Sequence, residues 1–458
     1  MNRIVACLLA ATLFSAPHSA RPAPPAAAIP EGFTFAAGGD MIGPYHAFPG
    51  DDDAGFKQVV ALFKGADLGF ANQEGSIFDL TTFPGYPAAE NGGGYPQQPA
   101  AAARAIRAMG IALVSKANNH ATDWGAEGLV ATLQSLAAAG LVQAGAGMSL
   151  DEARAPGFVK TAKGLAALVD ATSTFPPMAV AGPAVTRRGV TSRPRPGVSV
   201  LHLREVRLVT TDQLAALRRM LGEPASTAPE VRVGDLVFRA GAQPGMLWEM
   251  DGADEAAILA SIRDARRAAR FVVFSIHAHE TAGHDDSPEP ADYEPMVLHR
   301  ANEAPSPDDP RPADFEPTLF HAAIDAGADA VVRTGPHVLE GIEIYRGRPI
   351  FYGLGSLFFD FGGRRSYVSP AGEKMTFPEE WFETVIPVST FRGGGLSEIR
   401  LYPMTISSGA GSASGVPHPA DPEQARRILD RLAALSAAFG TKVRIESDVG
   451  VIRMSGSE

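Results

Sequence analysis

Short apolar runs alternate with stretches of helical spacing through the first third of the chain. Phe33 to Ala37 reads as a strand running into Gly38-Gly39-Asp40, and Phe56 to Phe63 carries its apolar residues at helical spacing. Leu68 to Ala71 is the next strand and ends in Asn72-Gln73-Glu74-Gly75. After a loop rich in Pro, Gly and Tyr from Thr81 to Gln98, the pattern predicts a helix over Pro99 to Met109 and a buried strand over Ile111 to Val114. A helix over Gly128 to Ala139 and a strand over Leu141 to Ala144 follow. Strand and helix in alternation predict stacked βα units and a mainly parallel sheet, hence an α/β fold.

Phe158 to Asp170 predicts two strands joined at Lys163-Gly164. The rhythm then breaks over 173–250, a stretch with several prolines and the cluster Arg187, Arg188, Arg193 and Arg195, read as an insertion over the sheet. Within it Thr211 to Leu221 is expected helical and Val231 to Ala240 a strand. Ala253 to Ala269 is a helix, and Phe271 to Ile276 a buried strand leading into His277-Ala278-His279-Glu280. Residues 281–312 are acidic and proline-rich without periodicity, a length typical of lids and binding loops. A helix over Asp314 to Ala326 and a strand over Ala330 to Val332 lead to Gly335-Pro336-His337. Then come a hairpin around Arg346-Gly347-Arg348, alternating strands at Thr384 to Val388 and Leu396 to Tyr402, and a polar segment with a last helix within 407–458.

A chain of 458 residues with 45% hydrophobic and 20% charged residues has ample material for a large core. Its formal net charge of -11 argues against nucleic acid as a partner. Residues 1–20 have the pattern of a cleaved secretory signal: Arg3, an apolar run from Ile4 to Phe14, then small residues. Residues 21–30 read as a Pro/Ala-rich linker. The expected location is therefore periplasmic or secreted. The single cysteine, Cys7, falls inside that signal, so the mature chain is expected to have neither a disulfide nor a thiol nucleophile. No later segment is long and apolar enough for a membrane helix.

The chemistry gathers just after the apolar runs. Asp40 follows the first strand, Glu74 the second, Asn118, Asn119 and His120 the third, His277 a later one and His337 a later one still. In a parallel sheet such ends converge on one edge, where open α/β sheets bind ligands. Carboxylate, amide oxygen and imidazole are donors that Mn, Fe, Zn and Mg accept. Asp123 and Trp124 are expected to cap and anchor the helix that follows.

These stretches resemble a known family. Gly39-Asp40-Met41-Ile42-Gly43, Asn72-Gln73-Glu74, Ala117 to Gly125, Ser275-Ile276-His277, Ala326 to Asp329, Gly335 to Val338, Arg346 to Tyr352 and Leu354-Gly355-Ser356 are similar to the CapA-type capsule or poly-γ-glutamate synthesis proteins, within the calcineurin-like metallophosphoesterase superfamily. The resemblance runs over about 33–361 and implies a metallophosphoesterase-like α/β sandwich for 31–406, with a metal site at the strand ends. It implies that Asp40 and His337 bind one divalent ion, that Glu74 bridges, and that Asn119 and His277 hold a second. His120 would face the substrate as acid or electrostatic stabiliser. Ile42 and Thr334 stand where the superfamily has histidine ligands, so one or two ions are expected, with His279 or Glu280 as substitutes or, with Asn118, as substrate contacts.

The implied function is an exported metal-dependent hydrolase or transferase acting on a capsule, poly-γ-glutamate or other polyanionic or peptide envelope substrate. Two alternatives use the same residues. One is a metal-independent acid/base enzyme working through Asp40, His120 and His337, such as a peptide epimerase. The other is a non-catalytic part of capsule or polymer synthesis machinery.

Overall fold

The computed structural model describes residues 28–44, 48–49, 52–88, 96–234, 236–280, 312–362, 364–368, 374–407 and 414–454. The expected leader at 1–20, most of the linker and almost all of the loop at 281–312 lie outside the described residues.

The strands that build the body are, in chain order, β1 (Phe33–Ile42), β2 (Leu68–Gln73), β3 (Ile111–Ser115), β4 (Val142–Ala144), β5 (Gly157–Thr161), β6 (Gly164–Thr172), β7 (Phe271–His277) and β8 (Ala330–Thr334). They continue with β9 (Ile342–Tyr345), β10 (Arg348–Phe351), β11 (Ser356–Phe359), β12 (Glu383–Arg392), β13 (Gly395–Ile406), β14 (Pro417–Pro419), β15 (Arg444–Glu446) and β16 (Val449–Arg453). One sheet runs β15-β16-β13-β12-β1-β2-β3-β4, with β11 also on β1 and β14 on β13. The other runs β9-β10-β8-β7-β6-β5. The inner strands β1 to β4, and likewise β6, β7, β8 and β10, are parallel. That is the mainly parallel arrangement expected from the alternating pattern.

The two sheets face each other because their strands alternate. Phe33, Phe35, Leu68, Phe70 and Leu113 from the first meet Leu168, Phe271, Val273, Val332 and Phe351 from the second in one core. The residues between them point outward. Ala36, Ala71 and Val114 pack under Val59 and Phe63 of α1 (Ala54–Gly65) and Ile106 of α2 (Ala101–Ala108). The helix α3 (Gly125–Ala138) follows β3. Val169, Phe274 and Val331 pack under Ile258 and Ile262 of α4 (Gly252–Ala268) and Leu319 and Phe320 of α5 (Phe315–Ala326). The result is a helix–sheet–sheet–helix sandwich.

Several elements run past their expected bounds. β1 continues through Gly38-Gly39-Asp40 to Ile42, with a register shift against β2 between Ala37 and Asp40. Such a bulge re-aims the side chains beyond it. Within the insertion the strand expected over Val231 to Ala240 is a hairpin, Glu230–Val233 against Leu236–Ala240, turned where Gly234 adopts φ +60. With Leu203–Val209 and Gly245–Met250 it makes a separate four-stranded sheet. Past 407 the chain does more than carry a helix: β14, β15 and β16 complete the first sheet, and the last helix, α6 (Pro422–Ala437), starts from a capping box at Asp421 and Gln424.

Gly39 sits where β1 crosses the Leu354–Gly355 backbone. A Cβ there would lie 1.7 Å from the Gly355 carbonyl oxygen, which no rotamer can relieve. Gly39→Ala is therefore expected to cost about 3 kcal/mol or more, as overpacking against rigid backbone does. Urea unfolding of the variant checks this; an unchanged midpoint contradicts the close crossing.

Candidate metal centre

The carboxyl ends of both sheets meet at one seam. Asp40 is in register with Asn72, and Asn72 with Ser115, across the first sheet. His277 is in register with Thr334 and Thr172 across the second. Polar contacts join the two edges. Asn72 Nδ2 lies 2.8 Å from Asp40 Oδ1 and 3.2 Å from His277 Nδ1, while the Gly335 N–H donates to Asp40 Oδ2 at 3.0 Å. Gly335 suits this approach because a Cβ there would lie 2.8 Å from the Ala278 carbonyl oxygen.

Asp40, Glu74 and His277 are fully buried, and His279, Asn119 and His337 nearly so. Ligand atoms of Asp40, Glu74 and His277 lie within 4.8 Å of one another, and so do those of Glu74, His279 and His337. The two sets share Glu74. His337 Nδ1 is also 3.2 Å from Asp40 Oδ2, and His277 Nε2 is 3.0 Å from His279 Nε2. Of the expected ligands, Asp40, Glu74, His277 and His337 are thus brought together, and His279 joins them. Asn119 is buried on the adjoining loop, and its Oδ1 has no hydrogen-bond partner among the described residues. His337 adopts φ +58, a conformation uncommon outside glycine, held between Asp40 and the rings of Phe359 and Trp381.

The electrostatics suit a cation. Burial opposes the Asp40 charge, but His337, then His277 and Asn72, hold its carboxyl below the usual aspartate value. Burial, and then the Asp40 charge, push Glu74 well above the usual glutamate value. Two close carboxylates are pushed apart in this way when both lie in a dry site. Neither Glu74 oxygen has a hydrogen-bond partner among the described residues, although the side chain is fully buried. Burial lowers the His277 imidazole to about 3 and His279 well below its ordinary value, so both stay neutral, the form that binds metal. Two orphaned carboxylate oxygens facing neutral imidazoles fit a divalent ion.

His120 borders this set and is less buried than the other donors. Its Nδ1 is 2.7 Å from Asp123 Oδ2 and its Nε2 is 4.0 Å from Glu74 Oε1. This corrects the reading of Asp123 as a helix cap. The N-cap of α3 is Trp124, with no side-chain cap, and Asp123 instead orients His120. Asn118 is fully buried and donates to Asn72 Oδ1 and the Gln73 carbonyl, so it braces the turn. The Glu280 carboxylate accepts from Ser173 Oγ at 2.7 Å and the Thr174 hydroxyl at 3.3 Å, which ties down the start of the inserted segment. Ile42 lies in an apolar cluster with Phe359, Phe377 and Phe382, and the Thr334 hydroxyl sits 3.1 Å from His277 Nδ1.

Three supporting residues escape the sequence reading. Lys116 is fully buried and donates from Nζ to the carbonyls of Gln73, Glu74 and Gly75 at 3.0, 3.1 and 3.0 Å. Burial lowers its pKa to about 7, against the pull of Asp123, Glu74 and Asp170. Asp170, pushed well above its usual value by burial, takes the N–H groups of Lys116 and Ala117 at 2.9 and 2.8 Å. Arg333, buried between Glu316 and Glu340, donates to the carbonyls of Ala278 and Glu280 on either side of His279. A charged residue directly after an apolar strand, as at Lys116, was the available signal.

A two-sheet α/β sandwich with carboxylates and imidazoles at its joined strand ends is a metallophosphoesterase-like fold. The chain belongs to the bacterial capsule synthesis protein PGA_cap family, whose model matches residues 34–306 and 306–361. It is 34% identical over 462 residues to the uncharacterized protein y4uA of Sinorhizobium fredii, covering 93% of this chain and 94% of that one. It is 24% identical over 344 residues to the probable polyglutamine synthesis accessory protein of Mycobacterium tuberculosis, covering 75% and 67%. A 42-residue stretch is 57% identical to the PGA biosynthesis protein CapA of Bacillus subtilis, covering 9% and 11%.

The state of Glu74 gives a pH test. Its proton is held more tightly in the folded chain than in the unfolded one, so it destabilises the metal-free fold as pH rises above the ordinary glutamate value of 4.5. In chelator, Glu74→Gln is expected to melt higher than wild type at pH 7, with the gap closing as pH falls toward 4.5. Thermal melts across that range decide it; a gap that widens on acidification contradicts the burial cost.

Proposed function

We propose that the protein is an exported metal-dependent hydrolase or transferase acting on an anionic polymer or peptide of the cell envelope. One observation carries the reading: two buried donor sets share Glu74, a carboxylate with neither oxygen hydrogen-bonded among the described residues. Asp40, Glu74, His277, His279 and His337 would hold the metal, with Asn119 beside them. A divalent ion there would activate water and neutralise charge developing on the substrate. His120, oriented by Asp123, would present Nε2 at the open side of the set as proton donor or electrostatic stabiliser. The other donors are closed to solvent, so the substrate's reacting group would meet the centre from the His120 side. The names of the relatives, concerned with capsule, PGA and polyglutamine synthesis, support an envelope polymer of the capsule or poly-amino-acid kind as the substrate class. The expected leader at 1–20 supports export.

Metal analysis of the purified chain, followed by Mn(II) and Zn(II) titration, tests the reading. One or two equivalents are expected, lost in Asp40→Asn. His120→Ala should keep the metal and lower turnover of poly-γ-glutamate by about 100-fold or more, the range for a lost general acid or base. Full turnover in chelator, abolished by His337→Ala, would replace the metal reading with acid/base chemistry. Full rescue of a knockout by the Asp40→Ala, His120→Ala double variant would replace both with a scaffolding role.

A further inference from the structure

A metal-ligating carboxylate is aimed by hydrogen bonds to its oxygens, whose second lone pairs stay free for the ion, or by the main chain that carries it. Asp40 is aimed in part by Asn72 and the Gly335 N–H. Glu74 takes no N–H donor among the described residues; its carboxyl lies against that of Asp40, and both donor sets depend on it. Its orientation comes in part through its own main chain. That main chain is the turn after β2, where the carbonyls of Gln73, Glu74 and Gly75 converge on one point. Three carbonyl dipoles pointing together repel one another unless a cation sits between them.

We infer that Lys116 is a positioning residue for the centre: its ammonium closes the Gln73–Gly75 turn around three carbonyl oxygens and so sets the direction of the Glu74 carboxylate. The three N–H donors of an ammonium match the three acceptors, leaving none spare. Register delivers the group, because Asn72 pairs with Ser115 and the next residue of each strand is Gln73 and Lys116. A lysine buried only for packing would be expected to pair with a carboxylate. Here Asp170 takes the main-chain N–H groups of Lys116 and Ala117, and Nζ makes its three hydrogen bonds to the carbonyls of the turn. Supporting contacts of this kind around metal ligands are typically worth roughly 10- to 100-fold in metal affinity.

The inference rests on the metal-centre reading for its affinity readout alone. The test compares the full-length chain with Lys116→Met and Lys116→Arg, by Mn(II) calorimetry and by amide hydrogen exchange over 68–77 in chelator. Lys116→Met is expected to keep its far-ultraviolet circular dichroism, exchange faster at the turn and bind Mn(II) roughly 10- to 100-fold more weakly. Lys116→Arg, with the charge but not the compact three-donor head, should recover part of both. Wild-type affinity and wild-type exchange in Lys116→Met overturn the inference. If Lys116→Met does not fold, the same two results in Lys116→Arg overturn it. If the wild-type chain binds no Mn(II), the metal reading fails, and the exchange comparison alone still decides whether Lys116 sets the turn.

Discussion

Two carboxylates confined in the dry seam between two sheets set the terms for everything around them. Asp40 carries its charge with help from a histidine, an asparagine and a main-chain N–H. Glu74 has no donor within hydrogen-bond distance among the described residues, and the His277 and His120 imidazoles stand off at 3.9 and 4.0 Å from its Oε1. Burying such a group unpaired costs several kcal/mol, and a fold tolerates it only where the surroundings are rigid and the charge has a use. The rigidity is visible. Lys116 and Asp170 pin one side of the seam, and Arg333 with Glu316 and Glu340 pins the other. These braces hold main chain, so the side chains inside stay free to coordinate.

The fold was legible because its strands are apolar and short and its helices amphipathic. The register of Asp40, Glu74, His277 and His337 at strand ends followed from that pattern. Less legible was anything decided by partners far along the chain. Asp123 follows the Asn-Asn-His stretch directly before a helix, where an acid usually caps; only the position of His120 Nδ1 shows that it orients an imidazole. The closing strands Arg444–Glu446 and Val449–Arg453 are short, and the place of the second beside β13, with the first beyond it, depends on pairing that local pattern does not encode.

The departures from the superfamily pattern also acquire physical sense. Ile42 is enclosed by phenylalanines, so a charged or polar ligand at that position would meet an apolar wall. The Thr334 hydroxyl lies 3.1 Å from His277 Nδ1 and steadies that ring. His279, two residues past His277, lies just beyond β7 with ligand atoms within 4.8 Å of those of Glu74 and His337.

The central strand of the first sheet is also the first strand of the chain. β1 pairs with β2 on one side and, on the other, with β12, from far along the sequence; β11 caps its carboxyl end. The N–H that fixes Asp40 comes from Gly335, 295 residues later. Contacts so distant in sequence are slow to form, because the loop they close must be ordered first. Asp40 and Glu74, by contrast, are brought together by the pairing of β1 with β2, neighbours both in the sheet and along the chain. The Gly335 N–H reaches Asp40 only when the second sheet docks, so the seam joins one contact that is near in sequence to another that is far.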